Sequence, residues 1–476
     1  MENIVIQVPV KLKPLAEAIT QVVRQAQQAL GCAGGGPARE YGRFEDDIEK
    51  SVAAVERAAH QVVLASLDVD APRVLIDGRP YRRVGRCEAE YKTKAGPVPV
   101  PRSLYRAEGE RNGRVVDAVS LRAGVVADGW LPHAAEAMAH LLQQGTSRES
   151  EVTGQRLGRL PYSRSSFERV GHHVGALLEA HRIEVDDALA ESVEVPAETA
   201  SLSLSIDRVS LPMEEPRARP KGRPRKGAPR RPISRVFRMA YCATVTLHDN
   251  KGAALRTLRY GCMPDSDPAT LCSAMARDAA AILERRPDLD IALLADGAPE
   301  MWNLLGSQDR LLAGRSVVKL IDLWHVLEKL GKAARVIHGA DEADDVLRRW
   351  RLLLLNRADA AQTILDLLII SGCEHAKRDG ERPVHEAITY LSNNADRMQY
   401  AGARRAGLPL GSGNVEATCK SLVEQRMKRA GARWKHVTGQ HILQLRALAL
   451  SDRWEPAIGI TLRHQRKSVV SLQLAA

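Results

Sequence analysis

The chain has 476 residues, of which 44% are hydrophobic and 27% charged, and its 69 Lys and Arg against 58 Asp and Glu give a formal charge of +11. Such a length exceeds one ordinary core and predicts two or three domains, while the apolar content excludes a disordered chain. The basic excess favours a polyanionic partner, nucleic acid first. Seven scattered cysteines (Cys32, Cys87, Cys242, Cys262, Cys272, Cys373 and Cys419) include no CxxC pair, which argues against a zinc ribbon and a disulfide framework. The N-terminal MENIVIQVPVKLKPLAEAI lacks an export signal, and no stretch is long and apolar enough to span a bilayer. A cytoplasmic protein with no membrane association is expected.

Residues 13 to 30 and 41 to 66 carry helical spacing on either side of a GCAGGG break at 31 to 36. They are expected to pair as a hairpin whose second helix serves packing or dimerisation. Residues 73 to 126 change to short alternating runs split by Gly, Pro and Asn-Gly, the pattern of a small antiparallel β module. Its Lys92, Lys94, Arg102, Arg106 and Arg111 suit DNA contact and solvated strand faces equally. Between Leu131 and Val185 the pattern returns to three short helices with a turn at Leu160 to Ser163, similar to a helix-turn-helix. Ser163 is expected to cap the last helix, which presents Arg164 and Arg169, with His172 and His173, to base edges and phosphates. A three-helix packing unit without DNA has the same pattern. The adjacent histidines point to different helix faces and do not suit a shared metal site.

ASLSLSIDRVS at 200 to 210 alternates small polar and apolar residues and reads as a strand ending in Asp207, a ligand or a turn former. Residues 217 to 235 then hold nine Lys or Arg and no acid. With six prolines from Pro212 to Pro232, an extended loop between two strands is expected. Lys221, Arg223, Arg225 and Lys226 in this loop are expected to bind phosphates with strong salt dependence, whether as a minor-groove AT-hook (Lys-Gly-Arg-Pro at 221 to 224) or as a generic basic arm. Residues 236 to 261 read as a β-hairpin turned at Asp249 to Gly252. Asp267-Pro268 opens a helix to about Arg285, with Leu271, Met275, Ala279 and Ile282 as its apolar stripe. Ile291 to Ala295 is a short buried strand closed by Asp296, after which Gly297 turns and Pro299 opens a helix.

In KLIDLWHVLEKL, Asp322 and His325 stand three apart on one helical face, where they bind DNA near a cut, brace a site, or simply satisfy each other at a strand-to-helix junction. Residues 340 to 400 are mostly helical by pattern. Trp302, Trp324 and Trp434 are expected to be packed, with stacking on extruded bases as the alternative. Glu300 and Asp309 are expected on helix surfaces.

GSGNVEATCKSLVEQRMKRAGARW, from Gly411 to Trp434, joins a tight turn, a possible cap at Ser412 and a helix from about Asn414 to Ala430 with Glu416 in its first turn. From Arg404 to Lys435 there are eight Lys or Arg against two Glu. The stretch is either a salt-bridged surface helix, or an acidic metal ligand among phosphate-binding cations: Lys420, Arg426, Lys428, Arg429 and Arg433. The order is strand with acid, hairpin, helix, strand with acid, and much later a helix with an acid. That is the arrangement of an RNase H-like α/β fold. Three rigidly placed carboxylates suit two hard divalent cations roughly 3.5 to 4 Å apart, which activate an attacking oxygen and stabilise a leaving one.

The pieces SLSIDRV, LLADGAPEMW, KLIDLWHVLEKL and GLPLGSGNVEATCKSLVEQRMKRAGARW together resemble the DDE transposases of bacterial insertion sequences, of the ISKra type, over about residues 40 to 455. The resemblance implies that Asp207, Asp296 and Glu416 are the catalytic, metal-binding triad. Their intervals of 89 and 120 residues leave room for a helical insertion before the last acid. Arg208 departs from the small residue expected after Asp207, and Asp322 with His325 matches the (C/D)xxH pattern of related transposases as an accessory pair. The implied fold is an RNase H-like catalytic core with a helical insertion, preceded by helical and small β DNA-binding modules. Its expected divisions are 1 to 70 (helical), 71 to 128 (β), 129 to 195 (helix-turn-helix-like), 196 to 340 (first part of the core), 341 to 402 (insertion), 403 to 455 (final core helix) and 456 to 476 (tail). The implied activity is Mg2+-dependent strand cleavage and transfer, with Mn2+ able to substitute, at the terminal inverted repeats of an element. The implied partner is double-stranded DNA, bound at paired ends by a homo-oligomer in a bacterial, nucleoid-associated setting. A catalytically inactive relative that only binds DNA, or another RNase H-like nuclease such as a resolvase, would share these features.

Overall fold

A computed structural model describes residues 7–30, 41–214, 227, 235–307 and 312–472. The chain forms two compact units, Met1–His181 with Glu455–Ala476, and Arg182–Trp454.

In the first unit, α1 (Lys13–Leu30) packs on α2 (Tyr41–Ser66), as the matching apolar spacings predict. The β module is an antiparallel sheet of β1 (Arg73–Ile76), β2 (Arg79–Thr93), β3 (Gly96–Ala107) and β4 (Val115–Asp117). Val469–Ser471, in the stretch read as a tail, adds a fifth strand beside β1. The PVPVP run shows how proline is accommodated. Val98 and Val100 are buried while Pro97, Pro99 and Pro101 are exposed, and over that run β3 pairs with β2 alone, so the missing amide hydrogens cost no ladder bond on the open side. After α3 (Ala118–Ala123), the three expected helices are α4 (Pro132–Gln144), α5 (Ser147–Arg156) and α6 (Arg164–Ala180). Ser163 stands at the N-cap of α6 by position, but its hydroxyl bonds Ser165 and Ser166 instead of the backbone. The side-chain cap is at α5, where Thr146 and Glu149 form a reciprocal capping box. Thr146→Ala is therefore expected to cost about 1 kcal/mol in chemical denaturation.

The second unit opens with α7 (Arg182–Glu191) and is built on a sheet of β5 (Ser201–Glu214), β6 (Arg235–His248), β7 (Ala254–Cys262), β8 (Asp290–Ala295) and β9 (Val317–Ile321), in the order β7-β6-β5-β8-β9. The first three form an antiparallel meander, and β8 and β9 run parallel to β5. β5 does not end at Asp207 as the alternation suggests. It pairs with β6 as far as Glu214, whereas its ladder with β8 stops at Ser205, so Pro212 lies beyond β8, where a single bridge between Met213 and Trp434 adjoins β5. The strand alternation divides two cores. Leu202, Leu204 and Ile206 face α8 (Ala269–Arg285), α9 (Pro299–Gly306) and α10 (Leu323–Ile337). Val209, Leu211 and Met213 face the segment carrying Val415, Cys419 and Leu422. The stretch after α10 is helical, with α11 (Gly339–Asn356), α12 (Ala360–Ile370), α13 (Pro383–Asn394) and α14 (Tyr400–Arg405). Its Val346, Leu368, Val384 and Leu391 belong to the same hydrophobic cluster as the sheet, so these helices share the core.

Candidate functional site

Strand register sets the first two acids. Ser205 pairs with Leu294, and extending that register by two residues brings Asp207 abreast of Asp296 just beyond the end of the ladder. Asp207 shares its strand face with Val209 and Leu211 and so turns toward α15 (Gly413–Thr418), which carries Glu416. Helical winding continues from α15 as a π-helix, Cys419–Glu424, and then α-helically over Gln425–Met427. Periodicity read at α-helical spacing does not anticipate this π turn, a feature that recurs at functional sites.

Asp207 lies within electrostatic reach of Asp296, and His325 within reach of Asp296 and Glu416. Burial, with the Asp296 charge, pushes the Asp207 carboxyl up, against bonds from the Arg208 amide and the Cys419 thiol. Cys419 Sγ donates to Asp207 Oδ2 at 3.6 Å. Hydrogen bonding with Cys242, then burial, pushes the Cys419 thiol well up and keeps it neutral. Asp296 Oδ1 accepts the Ala298 amide at 3.0 Å, and the Asp296 carbonyl accepts Trp302 Nε1 at 2.8 Å. Carboxylate oxygens suit a hard divalent cation, and among the described residues Glu416 stands close enough to Asp322 and His325 for the three to share one ion, while the raised Asp207 carboxyl owes most to burial and less to the Asp296 charge.

Asp322 is fully buried and organises the third acid's segment. Its Oδ1 caps α10 by accepting the Trp324 and His325 amides at 2.7 and 3.0 Å. Its Oδ2 accepts the Ser412 amide and, at 2.9 Å, the Ser412 hydroxyl. Gly411 allows a close approach, since a Cβ there would lie 3.0 Å from Asp322 Oδ2 and 3.2 Å from Trp324 Cδ1. Ser412 Oγ also reaches Glu416 Oε1 at 3.5 Å, and His325 Nδ1 stands 3.4 Å from Asp322 Oδ1 and 3.8 Å from Glu416 Oε1. Burial pushes the Asp322 carboxyl up, but bonds from His325 and Ser412 outweigh it and hold the pKa at about 2. The Asp322 carboxylate beside the ring, and then the charges of Glu416 and Asp296, raise His325 to about 9 against the effect of burial.

His325 is thus an imidazolium at neutral pH in the metal-free protein. Its pKa is raised on folding, so its contribution to stability is complete below about 6.5 and is lost as the pH rises through about 9. A histidine-ring NMR titration in EDTA is expected to show this late transition and its return toward 6.5 in Asp322→Asn.

Arg208 points away from Asp207, to the opposite sheet face. Its Nη1 meets Glu300 Oε2 at 2.5 Å, and Tyr241, its cross-strand partner, donates to Glu300 Oε1. Glu300 therefore joins the strand of the first acid to the helix after the second.

The cations expected to hold phosphates divide. Lys420, Arg429 and Arg433 are exposed, whereas Lys428 pairs with Glu424 at 2.9 Å. Arg426 corrects the sequence expectation: it is buried, with its guanidinium 5.2 Å from the Trp434 ring centroid, because its helix position faces the core. Arg164 and Arg169, in the first unit, are exposed, and Arg169 Nε lies 3.7 Å from Asp128. Lys221, Arg223, Arg225, Lys226 and Asp309 lie outside the described residues. Among the tryptophans, Trp302 is buried and Trp434 partly so, but Trp324 is 61% exposed under the Arg351 guanidinium, contrary to the packing expected of it. The contacts missed in sequence are those of Cys419 and Ser412. Cys419 at three residues past Glu416 carried a signal, the shared helix face.

No family profile and no characterised protein sequence matches this chain. Two solved structures overlap it in part, both transposase complexes. One is the Drosophila P element transposase strand transfer complex, at 15% identity and a TM-score of 0.26, covering 67% of this chain and 79% of that one. The other is the Mos1 transposase paired-end complex with left transposon end, at 11% identity and a TM-score of 0.16, covering 83% and 100%. Likeness at this level carries no argument about fold or activity. Among the described residues, no helix is long and apolar enough to cross a membrane.

Proposed function

We propose that this chain is a DNA transposase with an RNase H-like core, in which Asp207, Asp296 and Glu416 hold Mg2+, or Mn2+ in its place, for cleavage and transfer of DNA strands at the ends of an insertion sequence. The observation that carries the reading is the convergence of three acids from β5, β8 and α15 at one end of a single sheet. The strand order β7-β6-β5-β8-β9, an antiparallel meander joined to two parallel strands, supports it. Bound cations would supply the positive charge that activates the attacking oxygen and stabilises the leaving one. Asp322 and Ser412 fix the segment that carries Glu416, and the His325 imidazolium offsets the negative charge of the acids. Lys420, Arg429 and Arg433 contribute phosphate contacts that position the DNA more than they select sequence. Arg164 and Arg169, with the basic arm around Lys221 to Lys226, are the contacts proposed for the element ends. At least a dimer is expected on DNA, because two ends are handled together.

The test is incubation of a labelled duplex bearing the terminal inverted repeats that flank the gene, with Mg2+ or with EDTA. Metal-dependent cutting at the repeat end, followed by joining of that end to a second duplex, is the expected result. Sequence-specific binding without cutting would make the chain a DNA-binding protein. Cutting confined to branched junctions would make it a resolvase.

A further inference from the structure

One edge of β2 is open over part of its length. β1 pairs with it only from Arg79 to Arg82, the Arg83 amide bonds the Pro72 carbonyl, and the next bridge on that edge joins Lys92 to Trp130. Between them the strand meets a cavity of about 740 Å³, lined by Glu88 to Lys92, by Val125 to Gly129 and, from the C-terminal stretch, by Gln465 and Lys467. All of these residues belong to the first unit.

The prolines of β3 fix which backbone groups point there. In an antiparallel ladder, opposite residues alternately exchange two hydrogen bonds and none. Glu88 stands opposite Pro101, Glu90 opposite Pro99 and Lys92 opposite Pro97. Proline has no amide hydrogen to give, so these are the pairs that exchange none, and the N–H and C=O groups of Glu88, Glu90 and Lys92 project to the other edge. Lys92 shows the consequence, since its carbonyl accepts the Leu131 amide at 3.0 Å. The outward groups of Glu88 and the amide of Glu90 have no such partner among the described residues. Gly129 ends the opening, for a Cβ there would lie 2.5 Å from the Glu90 carbonyl oxygen.

An unpaired strand edge is a template for another strand, and the charges around this one select which. Most of the cavity's cations are engaged: Arg102 with Asp117 at 2.7 Å, Lys467 with Asp77 at 3.3 Å, and Lys92 with the Asp128 carbonyl at 2.5 Å. Arg114 is the one lining Lys or Arg without a partner among the described residues. Glu88 and Glu90 are exposed and make no ion pair or side-chain hydrogen bond among those residues. The uncommitted charge along the edge is therefore negative, which repels a phosphate and attracts Lys or Arg. Residues of an added strand opposite Glu88 and Glu90 would share their face, and the residue between them would fall beside Ala89, on the face of the buried Val98 and Val100.

We infer that the open edge of β2 takes up an extended peptide segment as an added antiparallel strand, with Lys or Arg opposite Glu88 and Glu90 and an apolar residue between them. The site lies wholly in the first unit and does not depend on the chemistry of the acids in the second.

Hydrogen exchange of the full-length protein, read by mass spectrometry, tests it. The probe is the peptide acetyl-Val-Lys-Val-Lys-Val-amide, added in excess. Exchange at the Glu88 and Glu90 amides is expected to slow about tenfold. The effect is lost when both lysines of the peptide are N-methylated and kept when the central valine is, because only the lysine amides face the edge. In a titration, affinity is expected to fall about tenfold in the Glu88→Gln/Glu90→Gln variant, whose exposed substitutions spare the fold. Unaltered exchange, equal protection by the two methylated peptides, or undiminished affinity in the double variant overturns the inference. So does slowing of the same amides by a mixed-sequence DNA duplex and not by the peptide, which would assign the edge to nucleic acid.

Discussion

Replacing any one of the three acids by its amide, as Asp207→Asn, Asp296→Asn or Glu416→Gln, is expected to lower the rate of strand cleavage by about 10³-fold or more while leaving binding of the repeat duplex largely intact. The size follows from what each carboxylate does. On the proposed reading it would supply an anionic oxygen to a cation whose stabilisation of the reacting phosphate amounts to several kcal/mol, and a neutral amide of the same shape keeps the packing but not the charge. None of the three is a structural keystone: all are partly exposed, and their described bonds are to single backbone amides, a thiol or a hydroxyl. Gel-shift affinity and cleavage rate measured on the same preparations separate the two effects. Near-normal cleavage by one variant would exclude that residue from the site.

The largest effect on stability is expected far from the acids. Arg453 and Asp278 form a two-pronged ion pair at 2.7 and 2.8 Å, their side chains only 8% and 6% exposed, and Tyr260 adds a hydrogen bond to the same carboxylate. The pair joins the third residue after α17 (His436–Leu450) to α8, and so helps clamp the C-terminal end of this unit to its sheet. Removing one partner leaves the other charged in a dry environment, which typically costs 3–5 kcal/mol; Arg453→Ala should show about that loss in urea denaturation. The double variant Arg453→Leu/Asp278→Leu should recover much of it, because two apolar side chains leave no charge unpaired. A loss of under about 1 kcal/mol in the single variant would mean that water reaches the pair.

The element order of Arg182–Trp454 was legible wherever period and punctuation agreed. Asp249 to Gly252 marked a hairpin because Asp249 Oδ1 accepts two backbone amides across the turn, and the stripe Leu271, Met275, Ala279 and Ile282 is buried along α8 as its spacing requires. Asp207 stood out at the end of an alternating polar and apolar stretch, and Asp296 at the end of an apolar run. Their alignment was implicit in their spacing, for the interval of 89 residues is also the register offset between β5 and β8. What was not legible depends on contacts between distant segments. Nothing local to Val469–Ser471 tells of its pairing with β1, and nothing local to β5 tells that Trp434 extends its pairing by bonding Pro212 and Glu214. A basic run does not reveal which member turns inward, so Arg426 read like its neighbours although it packs on Trp434. Trp324 was misjudged for the converse reason. It stands on the first turn of α10 between the buried Leu323 and Val326, on the face turned to solvent, and an apolar residue type gave no hint of that.

The most direct measurement is cation-directed cleavage of the protein itself. Fe2+ replaces Mg2+ in the purified chain, ascorbate and hydrogen peroxide generate short-lived radicals at the bound ion, and the fragments are sized and sequenced. If Asp207, Asp296 and Glu416 share one cation site, the backbone is cut near all three, and excess Mg2+ suppresses the three cuts together. Cuts near Glu416 and His325 with none near Asp207 or Asp296 would contradict a site shared by the two strand ends and the helix.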